Sequence, residues 1–189
     1  MKTKINNILI EIEDLFIIIL ISFFFSDKIK VFLTSYYVCY MFILFHECAH
    51  IIFAMLFGKK IEKIKLSIAG VCVKFNNNKE LEIVKNLIIY IAGPLSNICL
   101  AIMFYNIKFV FEINIFLALL NLMPIYPLDG YNILKLFLGY NKIQKVEYIF
   151  FCLLFLISIF IFIETFNPSL FIFFMYVMLI KYVSKNRVK

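Results

Sequence analysis

The sequence predicts an all-α polytopic membrane protein of about six transmembrane helices, with a small membrane-associated β-hairpin after the second. Three observations carry that prediction. Of 189 residues, 64% are hydrophobic and only 16% are charged, whereas a soluble domain runs near 45–50% apolar and about 25% charged. A chain this short has too little interior to hide the excess from water. The apolar residues also fall into long runs, broken by charged or Pro/Asn punctuation, that approach the twenty residues a helix needs to cross a bilayer. Finally, one segment between runs alternates with period two instead of the helical period. Other classes are excluded on the same grounds. Five cysteines are an odd number, and most lie inside apolar runs, which argues against a secreted disulfide scaffold. The net charge of +7 is scattered along loops instead of gathered on one face, so no nucleic-acid partner is expected. The lipid bilayer is the expected surrounding.

The elements follow in order. Glu11, Glu13 and Asp14 precede the first apolar run and no A-x-A-like site follows it, so no cleavable signal peptide is expected. The expected spans are Leu15–Ser26 (short), Val31–Phe57, Leu87–Phe111, Ile113–Tyr126, Tyr148–Phe166 and Ser169–Tyr182. The fourth is also short and ends in Pro124-Ile-Tyr-Pro127, so its tail is expected to be unwound and buried against neighbours. In Lys59–Asn78, Ile64, Leu66 and Ile68 alternate with Lys63, Lys65 and Ser67, and the parity flips to Val71, Val73 and Phe75 after Gly70. That pattern reads as two strands around a bend or bulge, closed by Asn76-Asn-Asn78 as a turn. An amphipathic interfacial loop is the plainer alternative. With six spans and a cytoplasmic N-terminus, nearly every Lys falls on the cytoplasmic side, and only Lys28, Lys30 and Lys108 fall opposite. The positive-inside rule therefore puts both termini in the cytoplasm.

The second span contains His46-Glu47-Cys48-Ala49-His50, and the chain has no other histidine. On a helix, positions i and i+4 share a face, so both imidazoles reach one metal ion. Glu47 projects about 100° away around the axis, where it can touch a metal-bound water without ligating. Two His ligands with a neighbouring carboxylate base is the arrangement of metal-assisted peptide hydrolysis. Ionisable groups in mid-membrane cost about 2.5–3.5 kcal/mol on insertion scales and read as functional by default; a polar cluster bonding helix to helix is the alternative. A catalytic zinc needs a third protein ligand and an open position. Most other acids stand at loop positions (Glu62, Glu80, Glu82, Glu112, Glu147), whereas Asp129 closes the segment Asn121-Leu-Met-Pro-Ile-Tyr-Pro-Leu-Asp129-Gly130. Taken alone, a loop Asp after a Pro-terminated helix is the better explanation of that residue.

H-E-x-x-H in one span, followed two spans later by N-x-x-P-x-x-P-L-D-G, resembles the site-2 protease family of intramembrane zinc metalloproteases. The stage IV sporulation protein FB branch is the nearest match. Ala92-Gly-Pro-Leu-Ser-Asn97 is similar to the family's A-G-P-x-x-N pattern, and Lys59–Asn78 lies where the family carries a membrane-associated β-element. The resemblance covers about Val31 to Gly139. It implies zinc as cofactor, His46, His50 and Asp129 as its ligands, Glu47 as general base and Asn121 holding substrate near the metal. It further implies cleavage of a membrane-tethered pro-protein, a sporulation sigma-factor precursor being one such substrate. Inhibitory membrane-protein partners and a bacterial cell membrane, or an internal membrane of a sporulating cell, belong to the same implication. A single domain over 1–189 is expected, with its catalytic core near 31–139. The soluble regulatory domain common in sporulation-type members is not expected. Cys48 and Ala49 stand where a branched residue and Gly are more usual. A strand edge around Gly70 would hold an extended substrate by β-addition. Two rivals remain at this stage. A zinc-binding transporter or sensor needs the ligands but not Glu47, and usually more polar residues along a pathway. An inactive member acting as a binding platform has no use for an intact Glu47.

Overall fold

The computed structural model describes residues 2–5, 8–12, 27–67, 70–75 and 81–187. The expected first span, Leu15–Ser26, and the Asn76–Asn78 turn lie outside them. The chain divides into two compact units, Met1–Leu119 and Leu120–Lys189.

The first unit joins a sheet to three helices. Strands β1 (Lys2–Ile5), β2 (Ile8–Ile12), β3 (Ile61–Ser67) and β4 (Gly70–Phe75) form one sheet in the order β1-β2-β3-β4. The β3–β4 hairpin is antiparallel, pairing Ile64 with Val73 and Leu66 with Val71, as the parity flip requires. Its register slips between Ile61 and Lys63, so the bulge sits at the start of β3, away from Gly70. The N-terminal strands were not foreseen. β2 pairs parallel with β3, and a Lys63–Glu11 ion pair of 2.6 Å ties the two strands. Four residues of period-two pattern beside Asn6-Asn7 were too brief a signal to read as strand.

Helix α1 (Asp27–Leu56) includes a 23-residue apolar stretch, Thr34–Leu56, long enough to cross a membrane. Gly58, at φ 83°, ends it: the Lys59 N–H reaches the Ala54 carbonyl and the Gly58 N–H that of Met55. This paired closure needs a left-handed residue, and glycine takes that conformation without penalty. The chain thus turns directly from the helix into β3, and β4 packs against α1. Helix α2 (Ile83–Met103) is also of spanning length. It buries Ile89, Ala92, Gly93, Pro94, Asn97 and Ala101. The small residues among these, Ala92, Gly93 and Ala101, let α1 and α2 approach closely, which is how helices associate where no hydrophobic gradient drives them. The expected third span, Leu87–Phe111, is overrun by a turn: α2 stops at Met103 and α3 (Lys108–Asn121) begins after Tyr105-Asn106. Only Asn106 and Lys108 interrupt the apolar residues there, so hydropathy averaged over a span misses the break.

In the second unit, α4 (Asp129–Leu138), α5 (Tyr140–Thr165) and α6 (Ser169–Arg187) follow the proline segment. Helix α5 is a third helix of spanning length, with Leu156, Phe160 and Ile163 exposed as lipid would favour. It begins eight residues before the expected Tyr148, so Glu147 is a buried helical residue and not a loop acid. The core here is Ile125, Phe151, Phe174 and Val177, with Leu128 and Leu154 packed against it.

The candidate metal centre

The site grows from the α1–α2 contact. The rings of His46 and His50 lie one helical turn apart on α1, both buried, with their Nε2 atoms 3.1 Å from each other. Each ring is held from behind. The Nδ1 of His50 is 2.6 Å from the carbonyl oxygen of Ile89, which can only accept, so this nitrogen carries the hydrogen. The Nδ1 of His46 is 2.8 Å from Oδ1 of Asn97. With both Nδ1 atoms donating, the Nε2 atoms of the neutral rings carry lone pairs that meet at close range. Such a meeting repels unless a cation or a proton occupies it, and imidazole nitrogens anchored through their second N–H are the usual metal donors.

Gly93 keeps this space open. A Cβ at that position would press on the Nε2 of His50 and come within 2.6 Å of the Nε2 of His46. The local sequence Gly93-Pro94 thus leaves a gap in α2 opposite the two ligand atoms. Glu47 follows His46 on the same turn and is half-buried.

Of the other sequence-predicted residues, Gly70 opens β4, the end strand of the sheet. Asn121 ends α3, and Asp129 is the first residue of α4, inside the second unit instead of trailing a span. Gly130 marks a close backbone approach, since a Cβ there would meet the carbonyl oxygens of Leu122 and Met123. The intervening loop satisfies itself. The N–H groups of Met123, Ile125 and Leu128 bond to backbone carbonyls, and that of Tyr126 donates to Oε1 of Glu147 at 2.9 Å. Pro124 and Pro127 have no N–H to satisfy. The second Glu147 oxygen faces the Lys181 ammonium at 2.9 Å, and that ammonium also lies over the Phe151 ring. Sequence reading missed the roles of Ile89, Gly93, Asn97 and Glu147; only the A-G-P-x-x-N pattern drew notice to two of them.

Beside the site, at the foot of α1, the Lys59 ammonium donates to Oδ1 of Asn86, whose own amide donates to the Leu81 carbonyl. Burial holds Lys59 below the usual lysine range.

The chain is similar to known proteins. The model of peptidase family M50 matches residues 35–112, a stretch that holds both histidines, Glu47, the hairpin and Asn97 but stops before Asn121. A zinc metalloprotease of Methanocaldococcus jannaschii is 33% identical over an alignment of 165 positions that covers 76% of this chain and 48% of that protein. The chain therefore spans about half the length of this curated relative. The solved structure of the site-2 protease from the same organism matches with a TM-score of 0.59 at 26% identity, covering 94% of this chain and 91% of that one. The family these matches support is M50, that of the site-2 proteases. None of them singles out the sporulation branch. That family suggests zinc, and the buried imidazole pair of this chain has the donor chemistry for it.

Proposed function

We propose that the chain is an intramembrane zinc endopeptidase that cuts a membrane-associated or membrane-spanning pro-protein within or near the bilayer. One observation carries the reading: two anchored imidazoles converge inside a helix of spanning length, with a carboxylate as their immediate neighbour. His46 and His50 would hold the metal together with Asp129, a set of two imidazoles and one carboxylate that leaves a position open. The bound metal supplies Lewis-acid polarisation of a scissile carbonyl and activation of water. Glu47 takes the proton of the attacking water and later passes it to the leaving amine. Asn121 offers its amide to the substrate near the reacting carbonyl. β4, beginning at Gly70, holds the substrate extended by strand addition, which also unwinds it for attack. A sporulation sigma-factor precursor is the narrower form of this proposal, with inhibitory membrane proteins as its regulators. That form rests on the sequence resemblance alone.

The test uses the full chain in detergent or vesicles with tethered candidate substrates. Glu47→Gln keeps the shape but loses the base, so zinc stays at one per chain while cleavage falls about 10²–10⁴-fold. His46→Ala and His50→Ala lose the zinc, and Asp129→Asn weakens both zinc and cleavage. Normal cleavage by Glu47→Gln overturns the mechanism.

A further inference from the structure

Asn114 lies on α3, fully buried, two helices on from the histidines in sequence, and neither composition nor motif marks it. Its side-chain amide nevertheless belongs to a continuous chain of hydrogen bonds that ends on a metal-binding ring. The Nδ2 of Asn114 donates to the backbone carbonyl of Val110 at 2.9 Å. That carbonyl can only accept, so the orientation of the Asn114 amide is fixed: its Oδ1 must point the other way. There it accepts from Nδ2 of Asn97 at 3.2 Å. This fixes the second amide in turn, so Asn97 presents Oδ1, an acceptor, to Nδ1 of His46 at 2.8 Å. Every orientation in the relay follows from the single carbonyl at its far end.

We propose that the Val110–Asn114–Asn97 relay selects the tautomer of His46, making Asn114 and Asn97 positioning residues that keep the His46 Nε2 available to a metal. A neutral imidazole has two tautomers, and only the one protonated at Nδ1 presents a lone pair at Nε2. His50 needs no relay, because the Ile89 carbonyl accepts from it directly. His46 has an amide in that position, and a side-chain amide can rotate to present either a donor or an acceptor. Without Asn114, the Asn97 amide gains a rotamer that places an N–H against the ring and drives the hydrogen to Nε2. Burial raises the stakes: Asn97 and Asn114 are both inaccessible, so no solvent stands in for a missing partner. The inference rests on the zinc reading only for its purpose; the tautomer is a property of the metal-free chain.

The experiment exploits the fact that the chain has two histidines. Full-length protein labelled with ¹⁵N-histidine, stripped of metal in detergent at a pH where both rings are neutral, gives two imidazole spin systems. Their long-range ¹H–¹⁵N correlations identify the tautomers. Wild type is expected to show Nδ1–H on both rings. Asn97→Leu and Asn114→Leu should turn His46 into a mixture or into the Nε2–H form, while His50 stays Nδ1–H and certifies that the fold is intact. Asn97→Asp restores an obligatory acceptor and should restore the His46 tautomer. Zinc affinity, read by chelator competition, should fall about ten- to a hundred-fold in Asn97→Leu and recover in Asn97→Asp. An unchanged His46 tautomer in both leucine variants overturns the relay, as does loss of both tautomers together, which marks a structural role only. If wild type shows the predicted tautomers and variant shifts yet binds no zinc, the relay stands and the zinc reading falls.

Discussion

Gly93 shows how much the site depends on an atom that is not there. The two imidazoles it faces are fixed from behind by Asn97 and Ile89, so they cannot retreat from an added methyl group. Alanine is the better helix former by about 1 kcal/mol, so Gly93→Ala should leave helical content intact. It should nonetheless weaken zinc binding by about an order of magnitude or more, on the scale of other groups that orient ligands. Circular dichroism beside a zinc-competition titration checks both halves, and undiminished zinc affinity would mean the ligand atoms have room to move. At this scale the sequence was partly legible. His46 and His50 stand out because the helical repeat places i and i+4 on one face, a rule that needs no knowledge of the partner helix. Gly93, Ile89 and Asn114 stay hidden because their roles arise only when α1, α2 and α3 come together.

A single buried carboxylate on α5 ties the proline segment and α6 of the second unit together. A proline-rich segment leaves amides that helix geometry no longer satisfies, and in an apolar surrounding each orphan costs several kcal/mol. Glu147 satisfies the Tyr126 amide from α5, and Lys181 on α6 balances the charge. Removing one partner of a buried ion pair costs about 3–5 kcal/mol; because Lys181 keeps a third of its side-chain surface exposed, the lower end applies. Lys181→Met and Glu147→Gln should each lower the midpoint of thermal unfolding. A double-mutant cycle should show that their losses do not add, whereas strictly additive losses would mean that the two residues act separately. Glu147 reads as an ordinary loop acid in the sequence because α5 starts in a stretch rich in Lys and Asn, and hydropathy places its beginning at the later apolar run. The hairpin, by contrast, was legible: alternation across Gly70 is a local property, and β3 and β4 pair as it demands.

Across the whole molecule, charge sets the expected orientation. Lys135, Lys142 and Lys145 precede the apolar part of α5, only Glu164 is charged near the α5–α6 connection, and Lys181, Lys185 and Arg187 follow α6. Reporter fusions after Lys145 and Lys189 should therefore give cytoplasmic signals, and one after Pro168 the opposite signal. A cytoplasmic signal after Pro168 would remove the α5–α6 pair as a membrane hairpin. For the amino-terminal half there is an argument that uses no charge at all. β2 and β3 are neighbours in one sheet, and a sheet cannot straddle a hydrocarbon layer while leaving its edges unpaired there. Both strands must therefore lie on one face of the bilayer. Strand pairing thus puts Lys2 on the same side as the lysines of β3, and main-chain hydrogen bonds become a constraint on sidedness as binding as any count of positive residues.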